Sequence, residues 1–318
     1  MVSKPPKRFT DEAAARAHLE KLQWPDGPVC PHCGTLDRAS RIAGGRNGLM
    51  FCNACRKQFS VTVGTVFERS KVPLNTWLFA THLLCSSKKG ISAHQLSRML
   101  GVSYKTAWFM AHRIREAMNP SGRDAGPLGG PGKVVEADET YIGKKDGKRV
   151  KAGGYAHKRT VLSLVERGGK IRSFKLRSSA REDIGPAVRA NVQRTSVLHT
   201  DGAQVYRGLF ATAAHEAVDH SKEYVRQSDI PNLGGAQDWP TVHTNTAEGF
   251  FSVFKRGMVG TYQHCGEQHL QRYLAEFDFR MNHRVKLGYS DDMRTDKALE
   301  GIKGKRLTYR RTNQAEVN

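Results

Sequence analysis

Four cysteines in two short pairs carry the clearest chemical signal in the sequence. Cys30 and Cys33 form the first Cys-x-x-Cys pair, Cys52 and Cys55 form the second, and eighteen residues separate the two. Each pair can offer two thiolates to one tetrahedral Zn2+ ion, and the residues between the pairs suffice for a hairpin that closes the site. Disulfides or redox pairs are the alternative, but no secretory segment accompanies them. The spacing therefore predicts a structural zinc ribbon.

Three carboxylates form a second candidate group. Asp138 lies at the polar end of an apolar β-like run, Asp201 ends another such run, and Glu248 begins an aromatic helical segment. Strand ends hold side chains rigidly and leave them open to a substrate, although any one of these residues alone is typical of a solvated turn. Together, in a basic chain, they predict an acidic pocket that holds Mg2+ or Mn2+ against a phosphodiester.

The segment around Glu248 admits two interpretations. On a helix, Glu248 and Lys255 share a stripe that borders an apolar stripe. The apolar stripe consists of Ala247, Phe250, Phe251 and Phe254. The simpler interpretation is a solvated i, i+7 pair on an amphipathic helix. The other is a functional carboxylate, which only the rest of the chain can favour.

The charge balance indicates the class of partner. Lys and Arg outnumber Asp and Glu by 51 to 30, which gives a formal net charge of +21. Such a balance predicts a polyanionic partner, with nucleic acid first and a membrane surface second. No apolar run approaches the ~20 residues of a membrane span, and no apolar signal segment is present. We therefore expect a soluble, intracellular protein that does not engage a membrane.

Composition and periodicity predict an α+β multidomain protein. The predicted parts are an N-terminal helix and zinc ribbon at 10–67, a helical unit at 71–118, a Pro- and Gly-rich linker at 119–133, an α/β domain at 134–285 and a basic, poorly periodic tail at 286–318. Within the fourth part, strands are predicted to carry Asp138 and Asp201, and helices to follow.

The unit at 71–118 has the spacing of a helix-turn-helix. Gly101 opens a short turn and Ser103 starts a second helix. The exposed side of that helix is predicted to carry four basic residues, Lys105, His112, Arg113 and Arg115. These side chains suit phosphates and base edges, which favours DNA binding. A helical unit used only for packing has the same pattern.

Several motifs in order resemble one family. From CPHC through VVEADETYIG, HTDG and HTNTAEGFFSVFKRG to HLQRYLAEFDFR, the chain resembles bacterial insertion-sequence transposases with an N-terminal zinc ribbon and a DDE integrase-like domain, the ISXO2-like group. The resemblance covers about residues 15–285. It implies an RNase H-like domain, in which a mixed five-stranded sheet flanked by helices carries two aspartates on strands and a third acid on a helix.

The resemblance assigns roles to individual residues. The first two acids match Asp138 and Asp201, the third matches Glu248, and the basic residue seven positions later matches Lys255. Asn245, one turn before Glu248, is an alternative third residue, and a helix cap is an equally good interpretation of it. Glu136 and Glu139 are left out of the predicted site, because strand alternation sends Glu139 to the opposite face and Glu136 lies deeper.

The expected function is that of a transposase that binds terminal inverted repeats in double-stranded DNA. It would cleave and join strands by two-metal phosphoryl transfer, with Lys255 holding a phosphate. Synapsis of two transposon ends implies a homo-oligomer on DNA, in the cytoplasm at the nucleoid. The alternatives are a DNA-binding regulator that has lost catalysis, and a structure-directed nuclease or resolvase on the same fold.

Overall fold

The computed structural model describes residues 5–44, 47–120, 126–148, 154–209, 214–219, 222–230 and 241–308. The chain divides into two compact units. The first comprises Met1–Asn119 and Gly288–Asn318, and the second comprises Pro120–Leu287. The boundary thus falls at the start of the predicted linker, of which positions 121–125 lie outside the described residues. Within the described ranges, no helix is long and apolar enough to cross a membrane.

The first unit begins with a helix and a small antiparallel sheet. Helix α1 (Glu12–Gln23) starts at Asp11, whose carboxylate accepts a hydrogen bond from the Ala14 amide. The sheet contains β1 (Ala39–Arg41), β2 (Met50–Cys52) and β3 (Gln58–Phe59) in that order. The sequence also suggests a long alternating strand after Cys55, but the strand ends at Phe59 and turns follow.

Three helices continue this unit. They are α2 (Leu74–Ser86), α3 (Ala93–Leu100) and α4 (Tyr104–Met118). Ser92 and Ser103 cap α3 and α4 by accepting hydrogen bonds from amides of the first turn. Gly101 ends α3 with a φ of 65°, a left-handed conformation that glycine adopts without strain. The predicted pair of helices joined by a short turn is therefore present.

The C-terminal region differs from the predicted tail. Ser290 caps a helix, α8 (Asp291–Glu300), by accepting a hydrogen bond from the Met293 amide. This helix packs within the first unit, where Arg294 donates to the Cys85 carbonyl. The prediction of a basic, poorly periodic tail at 286–318 is therefore wrong for this segment, and positions 309–318 lie outside the described residues.

A mixed five-stranded sheet forms the centre of the second unit. Its strands are β4 (Val134–Ile142), β5 (Arg159–Glu166), β6 (Ile171–Leu176), β7 (Val197–Asp201) and β8 (His215–Val218). The spatial order is β6-β5-β4-β7-β8, with β5 antiparallel to β4 and β6, and with β7 parallel to β4 and β8. A separate antiparallel pair joins β9 (Arg226–Gln227) and β10 (Thr241–Val242).

Helices cover both faces of this sheet. Helices α6 (Asn245–Gly257) and α7 (Leu270–Asn282) share one apolar core with β5, whereas α5 (Arg181–Asn191) shares the other with β4. Because both faces are covered, β5 is buried along almost its whole length. Val135 and Ala137 of β4 belong to the α5 core, so strand alternation turns Glu136 and Asp138 toward the α6 face.

Candidate functional site

The four paired cysteines lie together in the first unit, as the spacing predicts. Their sulfur atoms all lie within 4.8 Å of one another, with 3.6 Å between Cys30 and Cys55 and 3.7 Å between Cys33 and Cys52. A tetrahedral ion with Zn–S bonds of ~2.3 Å requires sulfur separations of roughly 3.8 Å. None of the four forms a disulfide. The donor set and its spacing therefore fit a closed, structural zinc site.

The second cluster lies where β4 and β7 reach the same edge of the sheet. The two strands are parallel, with Glu136 opposite His199 and Ala137 opposite Thr200, so Asp138 and Asp201 follow at one end. Carboxylate oxygens of Asp138, Glu139 and Asp201 all lie within 4.8 Å of one another. The two predicted aspartates therefore meet, and a third acid joins them.

Glu139 lies in this cluster, although strand alternation predicts that it lies apart from Asp138. Strand alternation does turn it toward the α5 face, beside Tyr206, whose pKa is raised first by burial and then by the charge of Glu139. However, β7 ends at Asp201 whereas β4 continues to Ile142, so this side chain can reach round the end of β7. The adjacent Asp-Glu pair at a predicted strand end is the signal that could have identified it.

Burial and mutual repulsion both raise the pKa values in this cluster, and a cation could offset both effects. Burial, followed by the charges of Asp201, Glu248 and Glu136, raises the pKa of Asp138 to about 7. Burial, followed by the charges of Asp201 and Asp138, raises the pKa of Glu139 to about 8. Among the described residues, no ion pair neutralises Asp138, Glu139 or Asp201. Hard oxygen donors in excess of positive charge fit a hard divalent cation.

Helix α6 supplies the remaining predicted residues. Glu248 is exposed in its first turn and lies close enough to contribute to the raised pKa of Asp138, but it is outside the 4.8 Å group. Lys255 is exposed two turns later. Asn245 is the first helical residue and is exposed, while Thr244 occupies the cap position without a side-chain cap bond. The interpretation of Asn245 as the helix cap is therefore wrong.

Comparison with known proteins decides the family. The ISXO2-like transposase domain matches residues 127–282, and the transposase zinc-ribbon domain matches residues 10–58. The chain belongs to the ISXO2-like transposases. It is also 28% identical over 296 residues to an uncharacterized protein in the transposable element ISH50 of Halobacterium salinarum, across 87% of this chain and 92% of that protein.

This ISXO2-like chain has a further carboxylate, Glu136, two residues before Asp138 on β4. Glu136 is 0% exposed, as its deeper position on β4 predicts. Burial opposes ionisation, but hydrogen bonds from His243 and Arg167, together with the charge of Arg167, lower the pKa of Glu136 overall. It is therefore a buried anion that protein groups already satisfy, in contrast to Asp138 and Glu139.

The predicted exposed face of α4 needs correction in this family member. Lys105 is exposed, but His112, Arg113 and Arg115 are buried, with exposed fractions of 1%, 9% and 2%. Arg113 donates to the carbonyls of Glu68 and Leu307 and lies over the Phe109 ring. Long basic side chains can bury their stems and satisfy carbonyls, so the second half of α4 is an internal packing element rather than an exposed recognition surface.

Proposed function

We propose that the protein is an insertion-sequence transposase that binds terminal inverted repeats and catalyses metal-dependent DNA strand cleavage and strand transfer. The observation that carries the proposal is the group formed by Asp138, Glu139 and Asp201, whose oxygens lie within 4.8 Å of one another at the end of β7. Family membership indicates the chemistry that such a group serves. In the five-stranded sheet, the antiparallel strands β5 and β6 lie on one side of β4 and the parallel strands β7 and β8 lie on the other. This strand order supports an RNase H-like architecture for the second unit.

Protein groups have distinct parts in this proposal. Asp138 and Asp201 would hold the Mg2+ or Mn2+ ions, with Glu248 completing the set from α6 and Glu139 adding a fourth carboxylate. When bound, two such ions activate the attacking hydroxyl and stabilise the leaving oxygen. The charges of Asp201 on β7 and of Glu248 on α6 both act on Asp138, so this aspartate would be the member that links the other two. The rigid sheet edge keeps these carboxylates in place before DNA arrives.

Lys255 would bind a phosphate of the transposon end. It lies seven positions after Glu248 on α6, which is about 10 Å along the helix axis. A phosphate bound there would align the DNA backbone with the acidic cluster, and the lysine would offset part of the charge of the DNA. Asn245 remains the competing third residue, because it is exposed one turn before Glu248.

DNA binding is proposed for the start of α4 rather than its whole length. Lys105 is exposed there beside Tyr104, whose ring stacks on His94 with centroids 4.3 Å apart. An exposed basic and aromatic tip suits phosphate and base-edge contacts, and the net charge of +21 supports a polyanionic partner. Bringing two ends together requires at least two copies, so a homo-oligomer at the nucleoid in the cytoplasm is part of the proposal.

A reconstituted reaction tests this function. Purified protein would be incubated with Mg2+ and a short element flanked by candidate ends, and the cut and joined products would be sequenced. The proposal predicts cleavage at the ends and joining to target DNA, both lost in Asp138→Asn. Tight binding without cleavage by the wild-type protein would instead support the alternative of a regulator. Cutting without joining would support a nuclease or resolvase.

A further inference from the structure

Buried polar contacts connect strand β4 to the start of helix α6. Glu136 Oε2 accepts hydrogen bonds from the Thr246 and Ala247 amides at 2.9 and 3.0 Å. Its Oε1 accepts from the Thr246 hydroxyl at 2.9 Å and from Arg167 Nε at 2.8 Å. A carboxylate from a distant strand therefore satisfies the helix-terminal donors that a local cap usually satisfies.

Arg167 holds the segment that leads into the same helix. Its two terminal nitrogens donate to the carbonyls of Thr241 and His243 at 2.7 and 2.9 Å. The Arg167 side chain is 7% exposed, and its Nε donates a hydrogen bond to Glu136. One buried ion pair thus holds both the approach to α6 and its first turn.

Apolar packing alone would leave the helix less well defined along its axis. Ala247, Phe250 and Phe254 bury the inner face of α6, but such contacts are non-directional and tolerate small sliding. Hydrogen bonds to a charged group have strict distances and angles, and they fix the axial position. Glu136 lies two residues before Asp138 on the same face of β4, a distance of about 6.6 Å along the strand.

We propose that Glu136 and Arg167 are positioning residues, which fix Glu248 relative to Asp138 and thereby set the geometry of the divalent-cation site. This inference rests on the proposed function, because it takes Glu248 to be a metal ligand. Displacement of a catalytic group by ~1 Å can cost 10²-fold in rate, so a helix free to slide would lose activity without unfolding.

The molecule offers a matched control in the same sheet. Glu216 on β8 is 4% exposed and accepts hydrogen bonds from Arg226 and from the Asp229 amide, both at 3.0 Å. Among the described contacts, its partners lie outside α6. Glu216→Gln therefore disturbs a buried charged network of similar type and leaves the hydrogen bonds from α6 to Glu136 in place.

The experiment compares full-length Glu136→Gln, Glu216→Gln and Asp138→Asn with the wild type. Mn2+ affinity is measured by electron paramagnetic resonance of the free ion, and cleavage is measured at saturating Mn2+. For Glu136→Gln we expect Mn2+ affinity to fall about tenfold and cleavage about 100-fold. Gel shifts without metal should show transposon-end binding within about threefold of wild type, since the DNA-contacting tip of α4 is unaltered. Glu216→Gln should keep wild-type Mn2+ affinity.

The outcomes separate the two proposals. A folded Glu136→Gln protein whose Mn2+ affinity and cleavage match those of Glu216→Gln would overturn the positioning role. If Glu136→Gln does not fold, Thr246→Val decides: it removes one hydroxyl bond to Glu136, and unchanged Mn2+ affinity would overturn the inference, whereas weaker affinity supports it. Wild-type protein that neither binds Mn2+ nor cuts DNA, or an active Asp138→Asn, would refute the proposed function itself.

Discussion

Replacing Asp138 by Asn should stabilise the metal-free protein while abolishing cleavage. In the folded state the pKa of this carboxyl is about 7, whereas the ordinary value is 3.8. A pKa raised by folding means that ionisation opposes folding, and the penalty grows between these two values. At 1.36 kcal/mol per pKa unit, the full penalty is on the order of 4 kcal/mol above pH 7.

The stability gained by Asp138→Asn should be larger at high pH than at low pH. At pH 5 the solution is about 1.2 pH units above the ordinary pKa of 3.8, and the Asp138 carboxyl is still mostly protonated in the folded protein. The penalty is then only about 1.6 kcal/mol. Asn carries no charge and removes the penalty at both pH values. For a unit of this size the gain corresponds to roughly 10 °C in Tm at pH 8, and to less than half of that at pH 5.

Calorimetry of metal-free protein at pH 5 and pH 8 would measure both gains. Mg2+ should raise the Tm of the wild type at pH 8, because a cation that binds the folded state stabilises it, and should have little effect on Asp138→Asn. Glu182→Gln, an exposed acid on α5, serves as the control and should change stability by less than about 0.5 kcal/mol. An Asp138→Asn protein that is destabilised, or equally stabilised at both pH values, would refute the electrostatic argument.

Three other predictions concern the remaining sites. Glu248→Gln should retain the fold and DNA binding but reduce cleavage by roughly 10²-fold or more in a mini-element assay. Asn245→Ala should retain most of the cleavage activity. The reverse pattern would identify Asn245 as the third site residue. Cys52→Ser should release zinc, detected by elemental analysis, and should unfold the ribbon by circular dichroism; a folded, zinc-free ribbon would contradict the structural role. Lys105→Glu should weaken transposon-end binding and reduce the slope of log affinity against log salt by about one, because one phosphate contact is lost; an unchanged slope would remove this residue from the DNA interface.

Local patterns predicted those parts of the structure that depend on local spacing. The cysteine pairs assemble as expected because each pair is a tight turn and the hairpin between them is short. Asp138, Asp201 and Glu248 lie on β4, β7 and α6, as predicted. The prediction was possible because apolar periodicity identifies each element within a few residues.

Features that depend on distant contacts were missed. Arg113 fits the exposed side of an amphipathic helix by local pattern, but carbonyls far along the chain bury it. Strand alternation places Glu139 on the opposite face, but this rule describes a continuous sheet and not the place where a neighbouring strand ends. The sequence predicts only the depth of Glu136, because its partner Thr246 on α6 lies 110 positions later and no periodicity connects the two.

The return of the chain to its first unit has a consequence for synthesis. Residues of α1 and α2 leave the ribosome early, yet their partners Leu299 and Arg294 belong to a helix translated more than two hundred residues later. Val66 likewise donates its amide to the carbonyl of Ile302. Domains that form from one continuous segment can fold as they emerge, but a discontinuous one must await its last segment. A nascent chain interrupted at Leu287 would therefore contain all five strands of the second unit, whereas its first unit would lack helix α8.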